Sequence, residues 1–192
     1  MIEEVQFITL QKGEIDRFRD KIIEFLLGLG EERKTLLANA NESSEEKYLE
    51  GFNWVLDNTI LACLARSKDR VVGLGGYKLP KKRLHIFGVH WPFVTGYAVV
   101  NRDFQGKGIG SKLVIKRLEY MRGKFAFLFG QTLRDNVPVR RIWEKFNYKK
   151  IYEDESFAYA IKPFRKELSL FVPLIGLSFR LYLKLKSIRV IK

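Results

Sequence analysis

The feature that most constrains this chain is a glycine-rich turn at residues 105–110, which joins an apolar run to a helical pattern. The run before it, residues 94–100, has the continuous apolar character of a buried strand, and residues 111–122 have apolar positions at helical spacing. A helix that starts after such a turn presents N–H groups without partners, and its dipole adds partial positive charge there. The sequence therefore predicts an anion site, with phosphate as the natural ligand.

Two well-known glycine loops do not fit these residues. A nucleotide-triphosphate P-loop ends in Gly-Lys-Ser or Gly-Lys-Thr, whereas this turn ends in Gly110, Ser111 and Lys112. A dinucleotide-binding loop has the spacing G-x-G-x-x-G, whereas residues 106–110 have G-x-G-x-G. Both classes are excluded by residue order.

The pattern that does fit is Gln/Arg-x-x-Gly-x-Gly/Ala, formed here by Gln105, Gly108 and Gly110. It resembles the acyl-CoA signature of the GNAT superfamily of N-acyltransferases. Downstream, residues 136–148 are similar to that family's Asn-x-x-Ala-x-x-Leu-Tyr-Glu-Lys-Leu-Gly-Phe helix, and the two motifs occur in the family's order and separation. The resemblance implies an α/β fold of GNAT type, with a mixed, mainly antiparallel central sheet flanked by helices.

The resemblance also implies acetyl-CoA, or another acyl-CoA, as co-substrate. Backbone groups of the strand before the turn would pair with the pantetheine arm, N–H groups of the turn would hold the pyrophosphate, and Asn136 would orient the cofactor arm. The implied cofactor-binding residues are Ala98, Val99, Val100, Gln105, Gly106, Lys107, Gly108, Ile109, Gly110, Ser111 and Asn136. Lys107 and Lys112 are either counter-charges for phosphate or solvated lysines beside the turn.

The family's catalytic residues do not carry over. Its usual general acid is a tyrosine, and the matching position here is Trp143, whose indole N–H cannot supply a proton at neutral pH. Gln131 stands where members that acetylate protein N-termini have a glutamate base. The glutamate of members that acetylate lysine falls near Val94. The catalytic residues therefore stay unassigned from the sequence.

Substitutes are available only by residue type. His90 and Tyr148 are weak candidates for proton transfer, and Glu153 and Glu155 flank the last predicted strand. A structural or surface role is the more expected one for His90 and for His85. We expect Trp143 to be a packing residue, with a hydrogen bond to the cofactor sulfur as the alternative.

The function predicted from these motifs is transfer of an acetyl or other acyl group from CoA to an amine of a small molecule or a protein. Direct attack in a ternary complex is expected, because Cys63 lies in an apolar run without an activating partner. One alternative is a catalytically weak or inactive acyl-CoA-binding sensor. Another is a nucleic-acid- or membrane-associated protein.

Length and cysteine content fit this class of protein. A chain of 192 residues suits one domain with a sizeable core, and we assign residues 1–162 to it and residues 163–192 to an extension. The single cysteine favours a reducing compartment and predicts no metal site. No cationic segment precedes an apolar one at the N-terminus, so we expect a cytoplasmic protein.

The extension is the most basic part of a chain whose formal charge is +13. From Lys162 onward there are eight basic residues and one acid. The apolar segment 168–179 is shorter than the roughly 20 residues that cross a bilayer. Leucines recur at helical spacing and also alternate as in a strand, so both remain open. The extension packs on its own domain, packs on a partner subunit of a homodimer, or binds an anionic partner, either nucleic acid or a membrane surface.

Periodicity and turn residues predict the remaining elements. A helix is expected over residues 15–27, and a second one is expected to start with Ser43 or Ser44 as its cap. The long apolar segment 84–100 should break near Trp91 and Pro92, because proline cannot donate to a strand ladder. Strands are predicted over residues 5–10, 59–66, 71–78, 125–129 and 152–161.

Overall fold

The computed structural model describes residues 4–30, 44–79, 84–86, 89–91, 93–121 and 124–190. The described residues form helices and strands in a mixed α/β arrangement. Their bounds, in chain order, are β1 (Val5–Gln11), α1 (Lys12–Ile15), α2 (Arg19–Leu27), α3 (Glu45–Asp57), β2 (Thr59–Ser67), β3 (Arg70–Lys78), β4 (Leu84–Ile86), β5 (Val89–Trp91), β6 (Phe93–Val100), α4 (Ile109–Met121), β7 (Phe127–Leu133), α5 (Val137–Lys145), β8 (Lys149–Glu153), β9 (Phe157–Pro163) and α6 (Val172–Val190).

The described strands form a main sheet in the order β1-β2-β3-β6-β7-β9-β8 and a two-stranded sheet of β4 and β5. This is the mixed, mostly antiparallel sheet flanked by helices that the motifs predict. The chain divides into two compact units. The first consists of Met1–Leu79 and Gly96–Met121, and the second of Pro80–Thr95 and Arg122–Lys192.

The first unit is built around the antiparallel strands β1, β2 and β3. The middle of β2 is buried on both faces, since residues 61–65 are all inaccessible to solvent. Helix α4 packs against β2 and β3, and α2 packs against β3 and α3. Close approach of α4 depends on Gly73, where an added Cβ would lie 3.2 Å from Cγ2 of Ile109. The start of α4 is therefore seated on the sheet.

The early helices follow their sequence signals. Ser44 caps α3, because its hydroxyl accepts a hydrogen bond from the Lys47 N–H at 3.3 Å. The helix predicted over residues 15–27 begins earlier, at Lys12, and a 3-10 turn at Asp16–Phe18 divides it into α1 and α2. The strands predicted over residues 5–10, 59–66 and 71–78 are confirmed to within one residue at each end.

The second unit contains the antiparallel strands β7, β9 and β8. The single last strand predicted over residues 152–161 is wrong, because the chain turns back within it. Oδ1 of Asp154 accepts hydrogen bonds from the N–H groups of Ser156 and Phe157, at 2.9 and 2.6 Å. This local turn produces the hairpin of β8 and β9. The preceding strand begins at Phe127, two residues later than predicted, and continues to Leu133.

The extension forms a helix over Val172–Val190, which settles the choice between helix and strand for those residues. Helix α6 packs against β8 of its own unit, where Arg180 donates two hydrogen bonds to the Ile151 carbonyl at 3.3 and 3.4 Å. The Phe179 ring lies 5.0 Å from that of Tyr159. No helix in the described residues has the length and apolar character needed to span a membrane.

The break expected near Trp91 and Pro92 is present. Strand β5 ends at Trp91 and β6 begins at Phe93, while Pro92 itself lies outside the described residues. Before the break, β4 and β5 pair as an antiparallel hairpin.

Candidate functional site

The glycine turn follows β6 and is tied to the sheet on both sides. The Asn101 N–H donates to the Val72 carbonyl at 2.9 Å, and the Asn101 side-chain oxygen accepts from the Asp103 N–H at 3.0 Å. Nε2 of Gln105 donates to the Val100 carbonyl at 3.0 Å. The glutamine of the motif therefore closes the turn onto its own strand rather than pointing a free amide at a ligand.

Gly106 and Gly108 adopt left-handed backbone conformations, with φ of 75° and 77°. A side chain strains a backbone in this region, which explains the need for glycine at these two positions. A Cβ added at either residue would meet no heavy atom within 4 Å among the described residues. The space beside each of these two glycines is therefore open, and a side chain would occupy it.

Helix α4 begins directly after this open space. The Lys112 N–H donates to the Gly108 carbonyl at 3.0 Å, which makes Gly108 the cap residue. The first N–H groups of a helix have no intrahelical acceptor. Here these are the N–H groups of Ile109, Gly110 and Ser111, and no acceptor for them is found among the described residues. Three neighbouring donors at the positive end of a helix dipole are the kind of group that can bind an anion.

Two lysines beside the turn add positive charge to it. Nζ of Lys107 lies 4.7 Å from the ring centroid of Phe104, and Nζ of Lys112 lies 5.6 Å from that of Phe7. Neither lysine forms an ion pair with a described acid, and both side chains are exposed. Because aromatic faces hold these lysines without neutralising them, both charges remain available to an anion.

Arg117, on the buried face of α4, was not identified from the sequence. Its side chain is only 4% exposed. The guanidinium donates to the carbonyls of Gly76 on β3 and Tyr97 on β6, and to Leu113 on its own helix. It has no carboxylate partner among the described residues, so backbone carbonyls alone accept its hydrogen bonds. This arginine fastens α4 to the strand whose end leads into the glycine turn.

In the strand expected to pair with pantetheine, two backbone carbonyls already accept hydrogen bonds from side chains. The carbonyl of Tyr97 accepts from Arg117, and that of Val100 accepts from Gln105. Between them, Val99 is buried while Ala98 is partly exposed. The backbone of residues 98–100 is thus held on each side by side chains of its own unit.

The second motif begins at Asn136, in the other unit. Its side-chain oxygen caps α5 by accepting a hydrogen bond from the Val139 N–H at 3.3 Å. Its own N–H donates to the Leu133 carbonyl at 3.1 Å. The motif asparagine therefore has a structural role at this helix start.

The C-terminal end of α5 explains another motif position. Asn147, which stands where the family has glycine, has a left-handed φ of 57°. Asparagine tolerates this conformation better than other residues with a side chain, so the helix can still end there. Asparagine in place of the motif glycine therefore keeps the left-handed backbone at this position.

Trp143 packs within the second unit, as its expected structural role requires. A Cβ added at Gly130 would lie 3.1 Å from the indole ring, and the indole stacks on Tyr148 with centroids 6.1 Å apart. Nζ of Lys162 lies 6.0 Å from the Tyr148 centroid. Tyr148, a candidate for proton transfer, is therefore in contact with both Trp143 and Lys162 and is half-buried.

Glu153, another carboxylate near the last strands, is bound by three basic side chains. Its oxygens lie 3.0 Å from Arg134, 3.2 Å from Lys150 and 3.7 Å from Arg140. The hydrogen bond from Lys150 and the surrounding positive charges lower the pKa of Glu153. A carboxylate held in its charged form in this way is a weak base.

The structure places the remaining candidates as follows. Gln131 and Glu155 are exposed, whereas Val94 is fully buried. The backbones of His85 and His90 pair across the β4–β5 hairpin, but their side chains lie outside the described part of the structure.

Cys63 is fully buried in β2. Burial raises the pKa of its thiol, and its only described polar contact is with Thr9, at 3.7 Å. A buried thiol with a raised pKa is a poor nucleophile. Among the described residues, no three His, Cys, Asp or Glu side chains are grouped to hold a metal ion.

Comparison with solved structures finds the same fold at low sequence identity. The YncA structure from Salmonella typhimurium, which contains its cofactor acetyl-CoA, aligns with a TM-score of 0.59 and 11% identity, over 85% of this chain and 95% of that one. An N-acetyltransferase from Thermoplasma acidophilum in complex with coenzyme A gives 0.57 and 16%, over 83% and 99%. The ribosomal-protein-S5-alanine acetyltransferase from Vibrio fischeri gives 0.57 and 13%, over 86% and 96%.

Sequence comparison identifies the family directly. A search of curated proteins finds no match. The model of the acetyltransferase (GNAT) family, however, matches residues 28–148, more than half of the chain, and this range includes both the glycine turn and the α5 motif. The chain therefore belongs to the acetyltransferase (GNAT) family.

Proposed function

We propose that this protein transfers an acetyl or other acyl group from CoA to an amine. The observation that carries the proposal is the open start of α4 in a chain of this family. Gly106 and Gly108 have left-handed backbones with open space at their Cβ positions, and the N–H groups of residues 109–111 have no acceptor among the described residues. A CoA pyrophosphate fits this site by charge and by its need for close backbone approach. Lys107 and Lys112 supply further positive charge at the same turn.

The proposed reaction is direct attack by the uncharged amine on the thioester carbonyl. The C–N bond forms as the C–S bond breaks, CoA leaves as a thiolate, and the amine proton passes to solvent or to the thiolate. A thiol has a pKa of about 8.5, so it is a tolerable leaving group without an acid. An acyl-cysteine intermediate is disfavoured because Cys63 is fully buried and its thiol pKa is raised.

Catalysis would then depend on positioning more than on proton transfer. The described candidates for a base are poorly suited to the role, since Tyr148 stacks on Trp143 with the Lys162 ammonium near its ring, and Glu153 is bound by three cations. Proton-transfer groups contribute typically about a hundred- to ten-thousand-fold in rate. We expect slow turnover, with a rate that rises with pH as more of the acceptor amine becomes uncharged.

The first experiment measures acetyl-CoA binding by calorimetry with wild type and a Gly108→Glu variant. The carboxylate would enter the open space and repel phosphate, so we expect affinity to fall about 100-fold, from the loss of helix-end contacts of up to about 2 kcal/mol plus charge repulsion. Gly108→Gln has the same size and backbone strain without the charge and should lose less.

Gly13→Glu is the matched control at a second open glycine. An added Cβ there also meets no described atom within 4 Å, but the residue lies in α1 rather than in the turn. We expect its affinity to match wild type. Equal affinities of the Gly108→Glu variant and wild type would contradict the proposed cofactor site.

The second candidate function is acyl-CoA binding without turnover, favoured by Trp143 in place of the family tyrosine and by the ion pairs of Glu153. Release of free thiol from acetyl-CoA, followed with peptides, polyamines and small amines, separates the two. Amine-dependent release supports the acyltransferase. Tight binding with no release for any amine would support the sensor instead.

A further inference from the structure

Helix α6 has two different apolar faces. One is buried in its own unit, where Val172 is 7% and Ile175 is 2% exposed. On this face Gly176 approaches the backbone of Ile151, so that a Cβ added there would lie 3.4 Å from the carbonyl oxygen. Packing on β8 therefore explains why this face is apolar.

The other face is exposed and made of leucine. Leu174, Leu177 and Leu181 are 38, 56 and 53% exposed, and their spacing of three and four residues places them in one row along the helix. Leu170, in the 3-10 turn directly before α6, is 80% exposed and lies four residues before Leu174. We call these four residues the leucine row.

The concentration of exposed leucines in this segment is unusual for the molecule. The other large apolar side chains that are exposed among the described residues are dispersed over α3, the end of β3, α4 and α5. They are Leu49, Leu79, Ile115 and Val137. Single exposed apolar residues need no explanation, but a continuous row indicates a surface that is covered in use.

The charge of the segment that carries the leucine row restricts which partner can cover the row. Residues 168–192 contain five basic residues and no acid: Arg180, Lys184, Lys186, Arg189 and Lys192. Arg180 has no acidic partner among the described residues, and its guanidinium contacts only the Ile151 carbonyl. The partner must therefore combine an apolar surface with negative charge.

Three partners have been considered for this segment, namely a second copy of the chain, a nucleic acid and an anionic membrane surface, and only one of them meets both requirements. A second copy of the segment would bring basic residues against basic residues, since it has no acid to pair with them. A nucleic acid would neutralise the charges but leave the leucine row uncovered. An anionic lipid surface satisfies both requirements, because acyl chains cover leucines and headgroups pair with lysine and arginine.

We propose that α6 docks this protein on an anionic membrane surface, with the helix lying in the interface and the leucine row facing the acyl chains. The contact is peripheral. It is independent of acetyl-CoA, so it stands or falls separately from the acyltransferase function.

Flotation with unilamellar vesicles tests the proposal on the full chain. We expect binding to phosphatidylcholine vesicles containing 40% phosphatidylglycerol, and at least tenfold weaker binding to phosphatidylcholine alone, because each basic residue near an anionic surface strengthens binding about fivefold. Raising the salt concentration should weaken the anionic binding.

Two variants separate the apolar and charged contributions. Leu174→Gln, Leu177→Gln and Leu181→Gln together should weaken vesicle binding at least tenfold, and the residues are exposed, so the fold should be retained by circular dichroism. Lys184→Gln, Lys186→Gln and Arg189→Gln together should weaken binding to anionic vesicles to a similar extent. The matched control replaces Leu49, Leu79 and Ile115, of comparable exposure, with glutamine and should bind as wild type.

Several results would overturn the proposal. They are absence of binding to anionic vesicles, equal binding to neutral vesicles, and binding that survives the leucine substitutions. Binding to duplex DNA or RNA without vesicle binding would identify a nucleic acid as the partner. Self-association in sedimentation that the leucine substitutions abolish, again without vesicle binding, would identify a second copy.

Discussion

Two helices of this protein begin in the same way, after a strand and a short turn, yet their first turns are completed differently. At α5 the Asn136 side chain accepts from the Val139 N–H, and proline occupies one of the first two positions. At α4 the cap is Gly108, and the N–H groups of residues 109–111 are left without an acceptor among the described residues. One helix start is closed by its own sequence, and the other is open to a ligand.

The two helices also differ in how they are held. Helix α4 buries Ile109, Leu113, Val114, Arg117 and Met121, whereas none of the residues of α5 is fully buried. A cap stabilises a helix by about 1 kcal/mol, so a helix without a side-chain cap needs other support. Burial supplies that support to α4, which allows its first N–H groups to remain free for an anion. The open site therefore depends on the opposite face of the helix.

The largest expected effect is on the support of α4. Arg117→Met removes hydrogen bonds to the carbonyls of Gly76 and Tyr97, each worth roughly 1.5–3 kcal/mol from a charged donor, while it relieves the burial of that charge. We expect the free energy of unfolding in urea to fall by about 3 kcal/mol.

Lys116→Met is the control on the same helix. Lys116 is half-exposed and forms only a 3.7 Å ion pair with Glu119, so we expect a change below about 0.5 kcal/mol. If both variants had the same stability, the support of α4 would have to come from its apolar residues alone.

A smaller effect is expected at the cap of the open helix. Gly108→Ala places a Cβ on a residue with φ of 77°, which costs roughly 1–2 kcal/mol for an L-residue. Gly13→Ala is the control, because Gly13 lies in α1 and alanine is favoured over glycine in helices by about 0.5–1 kcal/mol. Thermal unfolding should therefore shift in opposite directions for the two variants. A stabilised Gly108→Ala protein would show that the turn does not need its left-handed residue.

The strand, glycine turn and helix that form the open start of α4 could be predicted from the sequence because their signal is local. The glycines at 106 and 108 follow a strand and precede a helix, and that order alone predicts unpartnered N–H groups with room for an anion. The role of Arg117 has no local signal. Its acceptors at Gly76 and Tyr97 lie 41 and 20 residues away along the chain, so only the folded sheet brings them together.

Two other outcomes show where local patterns are insufficient. The hairpin of β8 and β9 was missed although the polar run at residues 153–156 marks its turn, because the apolar residues on both sides read as one strand. The extension alternates like a strand and repeats like a helix. In the structure this segment is a helix, and Ile175 and Phe179 pack in the core of the second unit. The periodicity of the sequence does not reveal that contact.

The smallest effect is expected at the closed helix start. Asn136→Ala removes the acceptor of the Val139 N–H and should lower the free energy of unfolding by about 1 kcal/mol, whereas Asn136→Asp keeps an acceptor oxygen at a helix start that favours negative charge and should retain most of the stability. The decisive readout is amide hydrogen exchange. Exchange of the Val139 amide should be faster in Asn136→Ala than in wild type, and added coenzyme A should not change it. The amides of residues 109–111, in contrast, should become protected only when coenzyme A is added. Protection of residues 109–111 in the free protein would mean that α4 is closed as α5 is. The proposed assignment of the α4 start as the binding site could then not rest on the difference between the two helix starts.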